Sequence, residues 1–266
     1  MHQARVLILM LKNKNNNPLH PKMKKNFTIL SAILITLFSL NVKAQDDKPQ
    51  AKSYMGLIGG LSIPTGSFGQ TNYSNNSDGF AKKGGMLGLD AGIYLYKNLG
   101  IGITFSYQDQ GELSALDAAT LANGYNTSYD KDETNVTTVD RYQNISLMLG
   151  PQYTFLYKSF ALDLRASAGM IKSFATPSYE VVFDNSNNSK GYLNQLSSRG
   201  DTFAYGASIG FRYSLSDSWD VGIKANYINS NGIKIEDSGP FSTIGRWQTN
   251  LPISVIQTTL GISVKF

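Results

Sequence analysis

The sequence predicts an all-β protein, an eight-stranded antiparallel up-and-down transmembrane β-barrel over residues 54–266. Three observations support this fold class. Large apolar residues alternate with small or polar ones over eight segments, which is the period of a β-strand. The connections between the segments are alternately short and long, and aromatic residues gather near the short ones. An apolar stretch with the pattern of a secretory signal precedes the first segment.

Each segment follows from its own alternation. Leu99–Tyr107 places an apolar residue at every second position, with glycine, threonine and serine between them. The preceding segment, Leu87–Leu95, does the same, and only Lys97 and Asn98 separate the two, which is the spacing of a β-hairpin. The other predicted strands are Met55–Ile63, Ile145–Tyr157, Phe160–Ala168, Phe203–Leu215, Trp219–Tyr227 and Ile256–Phe266.

The polarity of the two strand faces predicts which one lines the lumen. A soluble β-sandwich or a lipocalin-like barrel also alternates, but it points charges outward and large apolar residues inward. Here the non-apolar face is rich in glycine, serine, threonine and asparagine. That composition fits the narrow interior of an eight-stranded barrel, and the bulky face fits lipid. The few charges on the polar face are Asp90, Asp163, Arg165, Arg212 and Lys224.

These five charges are expected to meet inside the barrel. Asp163 lies a few residues after one short turn and Arg212 lies a similar distance before the next, so the two should be at the same depth. Asp90 and Lys224 both fall near mid-strand and should reach across the lumen. Buried charges persist when they are paired. The interior network is therefore predicted to plug the barrel, the alternative being a charged lining for a narrow conduit.

The N-terminal region predicts export. Residues 23–44 read as a signal peptide with a basic start, an apolar run over Phe27–Leu40 and a small-x-small end at Ala44. The run is shorter than the roughly 20 residues that a spanning helix needs. Residues 1–22 are interpreted as a start codon placed too far upstream or an unstructured extension, and residues 45–53 as a short periplasmic linker.

Removing this leader reverses the net charge. Residues 1–44 contain seven of the 24 Lys and Arg residues and no Asp or Glu. The remainder holds 24 less 7, or 17, basic residues against 19 acidic ones, a net charge of −2. The basic surface that nucleic-acid binding requires is therefore missing, and no nucleic-acid partner is expected.

Pro151 breaks the pattern of its strand. Proline cannot donate to a β-ladder, and a closed barrel has no free edge to hold it. A bulge or local kink is predicted at this position. The alternative is that the strand begins after Pro151, with residues 142–150 as loop.

The terminal strand carries a family resemblance. Gln257–Phe266 alternates and ends in phenylalanine, and Leu149–Tyr153 is similar to a fourth strand of the same kind of barrel. The chain resembles the small outer-membrane β-barrels of Gram-negative bacteria, the porin-family type that includes the OmpA membrane domain and OmpX. In that family the terminal residues form the barrel assembly signal, here Leu260, Ile262, Val264 and Phe266.

The resemblance implies a location and partners. It implies a multi-pass protein of the outer membrane in contact with its lipid, delivered after Sec-type export by periplasmic chaperones and the barrel assembly machinery. It also implies periplasmic termini, short periplasmic turns and long exposed loops. Those loops would be residues 65–85, 108–141, 174–202 and 230–252, with weak helical character in residues 109–122.

The inventory of reactive side chains argues against an enzyme. Both histidines, His2 and His20, lie ahead of the barrel, and the chain has no cysteine. Barrel hydrolases rest on a histidine base, and zinc sites on histidine or cysteine. No catalytic residue, cofactor or metal site is expected, and a calcium site in the acidic run at residues 129–133 is the alternative.

Function is predicted to lie in the long loops. The first hypothesis is a membrane anchor whose loops serve envelope structure, adhesion or binding of an unknown partner. The alternative is a narrow channel or a barrel that transports or binds a small ligand. The partner and any ligand cannot be read from the residues.

Overall fold

A computed structural model describes residues 50–266 except 76, 130–132, 185–190, 236 and 239–249. The predicted leader, residues 1–44, and residues 45–49 of the predicted linker lie outside the described residues. Among the described residues, no helix is long and apolar enough to cross a membrane. In chain order the strands are β1 (Tyr54–Pro64), β2 (Gly84–Tyr96), β3 (Leu99–Asp109), β4 (Glu133–Val139), β5 (Gln143–Tyr157), β6 (Phe160–Ala175), β7 (Ser178–Asp184), β8 (Gly191–Gln195), β9 (Gly200–Ser214), β10 (Trp219–Ser230), β11 (Asp237–Ser238) and β12 (Ser254–Lys265).

Eight of these strands close into the predicted barrel. Their order is β1-β12-β10-β9-β6-β5-β3-β2, and every pairing is antiparallel. The barrel closes between its first and last strands, from Tyr54 opposite Lys265 to Pro64 opposite Val255. Strands β4, β7, β8 and β11 do not belong to the barrel. Each of the remaining eight strands pairs with the barrel strand that follows it in the chain, and the last pairs with the first, so the up-and-down prediction is confirmed.

Burial confirms which face points inward. Leu87, Leu89 and Phe105 are exposed on the outside of the wall, whereas Thr104 and Ser106, between such residues, are buried. The barrel thus presents a bulky apolar surface to its surroundings and a small, polar surface to its lumen. This arrangement suits a wall in lipid, where the backbone of a closed barrel is fully paired.

Of the bulge or local kink predicted at Pro151, the bulge is wrong. β5 runs through this residue, which pairs with Ile101 on β3. On the other side, Leu149 pairs with Ala168 and Gln152 with Arg165, so two residues on each strand are unpaired and the register does not shift there. The proline interrupts the β5–β6 ladder without adding a residue. The alternative start after Pro151 is also wrong, since β5 begins at Gln143.

The long connections contain more structure than the sequence predicted. A 3-10 helix spans Gly66–Gly69, and helix α1 spans Ala115–Tyr129, which overlaps the predicted weak helical pattern at residues 115–122 and continues beyond it. Strands β11, β8, β7 and β4 form a separate four-stranded sheet. We call α1 with this sheet the loop subdomain. In sequence these connections look like polar loops, because their strands are short and contain many polar residues.

Candidate functional site

The central ion pairs of the lumen join Arg165 and Lys224 to Asp90. Arg165 Nη1 lies 3.0 Å from Asp90 Oδ1, and Lys224 Nζ lies 2.6 Å from the same oxygen. Arg165 also donates to Thr104 Oγ1 at 2.6 Å and to Gln152 Oε1 at 2.6 Å. One carboxylate therefore serves two buried cations, and hydrogen bonds to neutral groups complete the coordination of the guanidinium.

A second ion group surrounds Arg212. Its Nε lies 2.7 Å from Asp163 Oδ2, and its Nη1 lies 2.7 Å from Asp220 Oδ2. Lys265 Nζ contacts the other oxygen of Asp220 at 2.8 Å. The guanidinium carbon is 3.8 Å from the centroid of the Tyr54 ring, within the range of a cation–π contact. This group lies at the end of the barrel that carries the short turns.

Neutral side chains connect the two ion groups. Gln152 accepts from Arg165 and donates through Nε2 to the Tyr94 hydroxyl at 2.7 Å. Tyr94 also bonds to the Thr154 hydroxyl, which donates to Asp163 Oδ1 at 2.6 Å. The lumen therefore contains one continuous hydrogen-bonded network, in which removing a member affects groups on several strands.

The structure brings all five predicted charges into this network and adds two. Asp220 and Lys265 were missed because they lie near strand ends, where charges are common. Alternation could have found them. Asp220 stands between Trp219 and Val221, and Lys265 follows Val264, so both occupy inward positions.

Glycine at position 102 makes room for the Arg165 guanidinium. A Cβ placed on Gly102 would lie 1.9 Å from Nε and 2.2 Å from Cζ of Arg165. A Cβ on Gly210, another inward glycine, would meet Asp163 Cβ and Lys224 Cγ at 3.7 Å, an ordinary contact. The fit of the Arg165 guanidinium thus depends on Gly102, whereas position 210 tolerates an added methyl group.

We expect Gly102→Ala to lower the free energy of unfolding by about 1–3 kcal/mol, the usual cost of an added methyl in a packed interior. The end of an arginine is flexible, but here it cannot move without breaking its bonds to Asp90 and Gln152. Gly210→Ala is the matched control and should be neutral or slightly stabilising. Urea titration of the protein folded in phosphatidylcholine vesicles measures both. Equal effects would show that Arg165 does not depend on Gly102.

Amide and hydroxyl side chains fill the lumen beyond the ion groups. Gln108 Oε1 accepts from Ser62 Oγ and from Gln257 Nε2, each at 3.0 Å. Further toward the long connections, the fully buried amides of Gln110 and Asn144 have no hydrogen-bond partner among the described protein groups. Buried amides of this kind normally bond to ordered water.

An apolar cluster lies at the long-connection end of the barrel. Phe68, from the 3-10 helix, is 0% exposed and packs edge-on against Tyr142 with ring centroids 5.0 Å apart. The Tyr142 hydroxyl donates to the Gly79 carbonyl at 2.7 Å, which ties the first two long connections together. Inward residues of five barrel strands and residues of the connections complete the cluster: Ala81, Met148, Ile171, Ala204, Ile228, Ile233, Leu251, Ile253 and Val255.

The loop subdomain has a separate apolar core. Leu121 and Tyr125 of α1 are 0% exposed and pack against the sheet. Ser114 and Asp117 cap the helix reciprocally: Ser114 N–H donates to Asp117 Oδ2 at 2.8 Å, and Asp117 N–H donates to Ser114 Oγ at 3.3 Å. The other core residues are Phe80, Leu113, Val136, Tyr179, Val181 and Leu193. These connections therefore form a folded surface.

The described residues contain no group of three or more His, Cys, Asp or Glu side chains placed to hold a metal ion. The acidic run considered for calcium includes residues 130–132, which lie outside the described part of the chain. The residues of the expected assembly signal lie on the last barrel strand and at its end. Leu260, Ile262, Val264 and Phe266 all point outward and are exposed.

The closed wall, its bulky outer face and its polar lumen define a membrane-spanning β-barrel protein. The outer membrane protein beta-barrel domain family matches residues 30–266. The chain belongs to this family, and it is a multi-pass protein of the outer membrane. No curated protein matches the sequence.

Solved structures of other barrels resemble this fold at low sequence identity. Neisserial surface protein A is 14% identical, with 82% of this chain and 100% of that chain covered and a TM-score of 0.42. Ail, the attachment invasion locus protein of Yersinia pestis, is 10% identical, with 82% and 99% covered and a TM-score of 0.37. A major outer membrane protein from Thermus thermophilus is 12% identical, with 81% and 100% covered and a TM-score of 0.41. Similarity at this level carries no information about ligands or partners.

Proposed function

We propose that this protein is a non-enzymatic anchor in the outer membrane that presents the loop subdomain outside the cell for envelope structure, adhesion or binding of a partner. The observation that carries the proposal is the second apolar core. Ordering α1 and four strands outside the barrel costs conformational entropy that flexible loops would not lose. The result is a surface of fixed shape, which suits recognition.

The interior contacts favour this function over a narrow channel. The buried ion network extends through the lumen from its middle to the short-turn end, and the apolar cluster around Phe68 occupies the other end. An eight-stranded barrel has an interior just wide enough for side chains. The cavity beside Lys224 and Arg212 has a volume of about 40 Å³, enough for water alone.

Assembly is proposed to follow the family pathway. The alternating outward residues of the last strand, with Phe266 at its end, would be recognised by periplasmic chaperones and the barrel assembly machinery. The same pathway would leave the short turns and both barrel termini in the periplasm and the loop subdomain at the cell surface.

The test compares two leucines of α1. Leu121 is 0% exposed and Leu116 is 77% exposed on the same helix. We expect Leu121→Asn to unfold the loop subdomain, because it buries an amide in place of an apolar side chain, and to leave the barrel intact. Surface cross-linking in intact cells should then lose the adducts formed by the native protein, whereas Leu116→Asn should keep them. Heat-modifiable migration in gels checks that the barrel remains folded.

Two results would contradict the proposal. One is an unchanged set of cross-linked adducts in Leu121→Asn, with loss of subdomain structure shown by proteolysis. The other is steady ion conductance of the native protein in planar bilayers, which would favour the channel.

A further inference from the structure

Two lysines occupy strained positions in the short turns. Lys97 and Lys158 are the first residues of the two-residue turns β2–β3 and β5–β6, with φ of 47° and 51°. Positive φ at this position is normally supplied by glycine or asparagine, since a side chain is crowded there. Strained backbone conformations cluster at functional sites, and these two stand at equivalent places in neighbouring hairpins.

Both lysines make the same contact with the preceding aromatic residue. Lys97 Nζ lies 5.5 Å from the ring centroid of Tyr96, and Lys158 Nζ lies 5.5 Å from that of Tyr157. The two rings are 52% and 69% exposed. The turn conformation and the cation–π contact together hold each ammonium group beside a tyrosine at the rim of the barrel.

The two Tyr–Lys pairs lie on one side of the rim. Strand β3 pairs with β5, so the hairpins β2–β3 and β5–β6 are neighbours in the wall. The third short turn, between β9 and β10, instead carries an acid, Asp217. The positive charge of the short turns is therefore confined to the part of the rim formed by four adjacent strands.

We propose that Lys97 and Lys158 bind the phosphate groups of phospholipid heads in the leaflet that meets the short-turn rim. Tyrosine takes its place at the membrane interface, with its ring in the apolar region and its hydroxyl in the polar region. An ammonium group fixed next to it lies at the depth of the lipid phosphates. The proposal rests on the outer-membrane location of the barrel and does not depend on the function of the loop subdomain.

The strain gives the proposal a second consequence. Glycine would adopt the turn conformation without crowding, so Lys97→Gly and Lys158→Gly should weaken lipid binding and yet give a more stable fold than other replacements that remove the charge. Lys97→Gln and Lys158→Gln remove the charge and keep the crowding, so they should weaken binding without stabilising the fold. Lys172→Gln removes an exposed lysine at the opposite end of the barrel and is the control.

The experiment measures binding of phosphatidylglycerol and phosphatidylcholine to the detergent-solubilised full chain by native mass spectrometry. We expect the dissociation constant for phosphatidylglycerol to rise about fivefold for each lysine removed, the factor typical of a basic group near anionic lipid. Lys172→Gln should bind as the native chain does. In urea titrations in phosphatidylcholine vesicles, the double glycine variant should have a higher midpoint than the double glutamine variant, because both lack the charge and only the glutamine variant keeps the crowding.

Three results would overturn the proposal. Equal affinity of all variants for phosphatidylglycerol would remove the lipid site. Displacement of the lipid by inorganic phosphate at the same concentration would make it a site for free anions. A urea midpoint of the double glycine variant no higher than that of the double glutamine variant would show that the turns are not strained.

Discussion

Asp90→Asn should lower the free energy of unfolding by about 3–5 kcal/mol, the range for breaking a buried ion pair by removing one partner. Asparagine keeps the shape of the side chain but removes its charge. Arg165 and Lys224 would then remain buried without a counter-ion, because Asp163 already pairs with Arg212. Urea titration in phosphatidylcholine vesicles, followed by tryptophan fluorescence and gel migration, measures the loss.

Asp201→Asn is the matched control. Asp201 pairs with Lys172 at 3.9 Å, and both side chains are more than half exposed. The same substitution there should cost no more than about 1 kcal/mol. Adding Lys224→Met to Asp90→Asn should recover part of the loss, because one unpaired cation is removed. If Asp90→Asn costs no more than Asp201→Asn, the ion network does not stabilise the barrel.

Phe68→Ala should cost about 3–5 kcal/mol, the usual range for a fully buried phenylalanine. The substitution removes the ring that contacts Tyr142 and leaves a cavity at the mouth of the barrel. The connections that meet there should also become easier to cleave with protease, because Phe68 packs on residues of several of them. Urea titration and limited proteolysis measure the two effects.

Phe203→Ala is the control that distinguishes the cost of a cavity from the cost of losing an apolar ring. Phe203 is exposed on the outside of β9, where lipid can fill the space that its ring leaves. Its replacement should therefore cost less than Phe68→Ala and leave protease sensitivity unchanged. Equal losses of unfolding free energy in the two variants would mean that the cluster around Phe68 is not tightly packed.

The inward face could be predicted because alternation has a fixed period. Asp163 and Arg212 each lie a few residues from a short turn, and register then places them together at 2.7 Å. Asp90 and Lys224 could be expected to meet for the same reason. That Arg165 also pairs with Asp90 could not be predicted, because a sequence pattern gives the direction of a side chain but not the distance to which its charged group extends.

The apolar cluster around Phe68 and the loop subdomain could not be predicted in this way. Phe68 stands alone in a glycine-rich connection, and nothing local marks it as buried. The strands β7 and β8 are short and flanked by polar residues, so they resemble loop. Besides pairing with each other, each has a partner distant in the chain: β7 pairs with β4, and β8 pairs with β11. Short-range propensity contains no information about such pairings.

The sequence by itself determined the wall of this protein. A closed barrel follows from the period-2 pattern, the even number of strands and the short turns. Strands with one bulky apolar face lie in lipid, and there their backbone N–H and C=O groups are all hydrogen-bonded only when every strand edge is paired. Only the tertiary structure decided how the lumen is filled and that the long connections fold. Those features depend on contacts between residues far apart in the chain, such as Phe68 with Tyr142, and such contacts exist only after the barrel has brought the connections together.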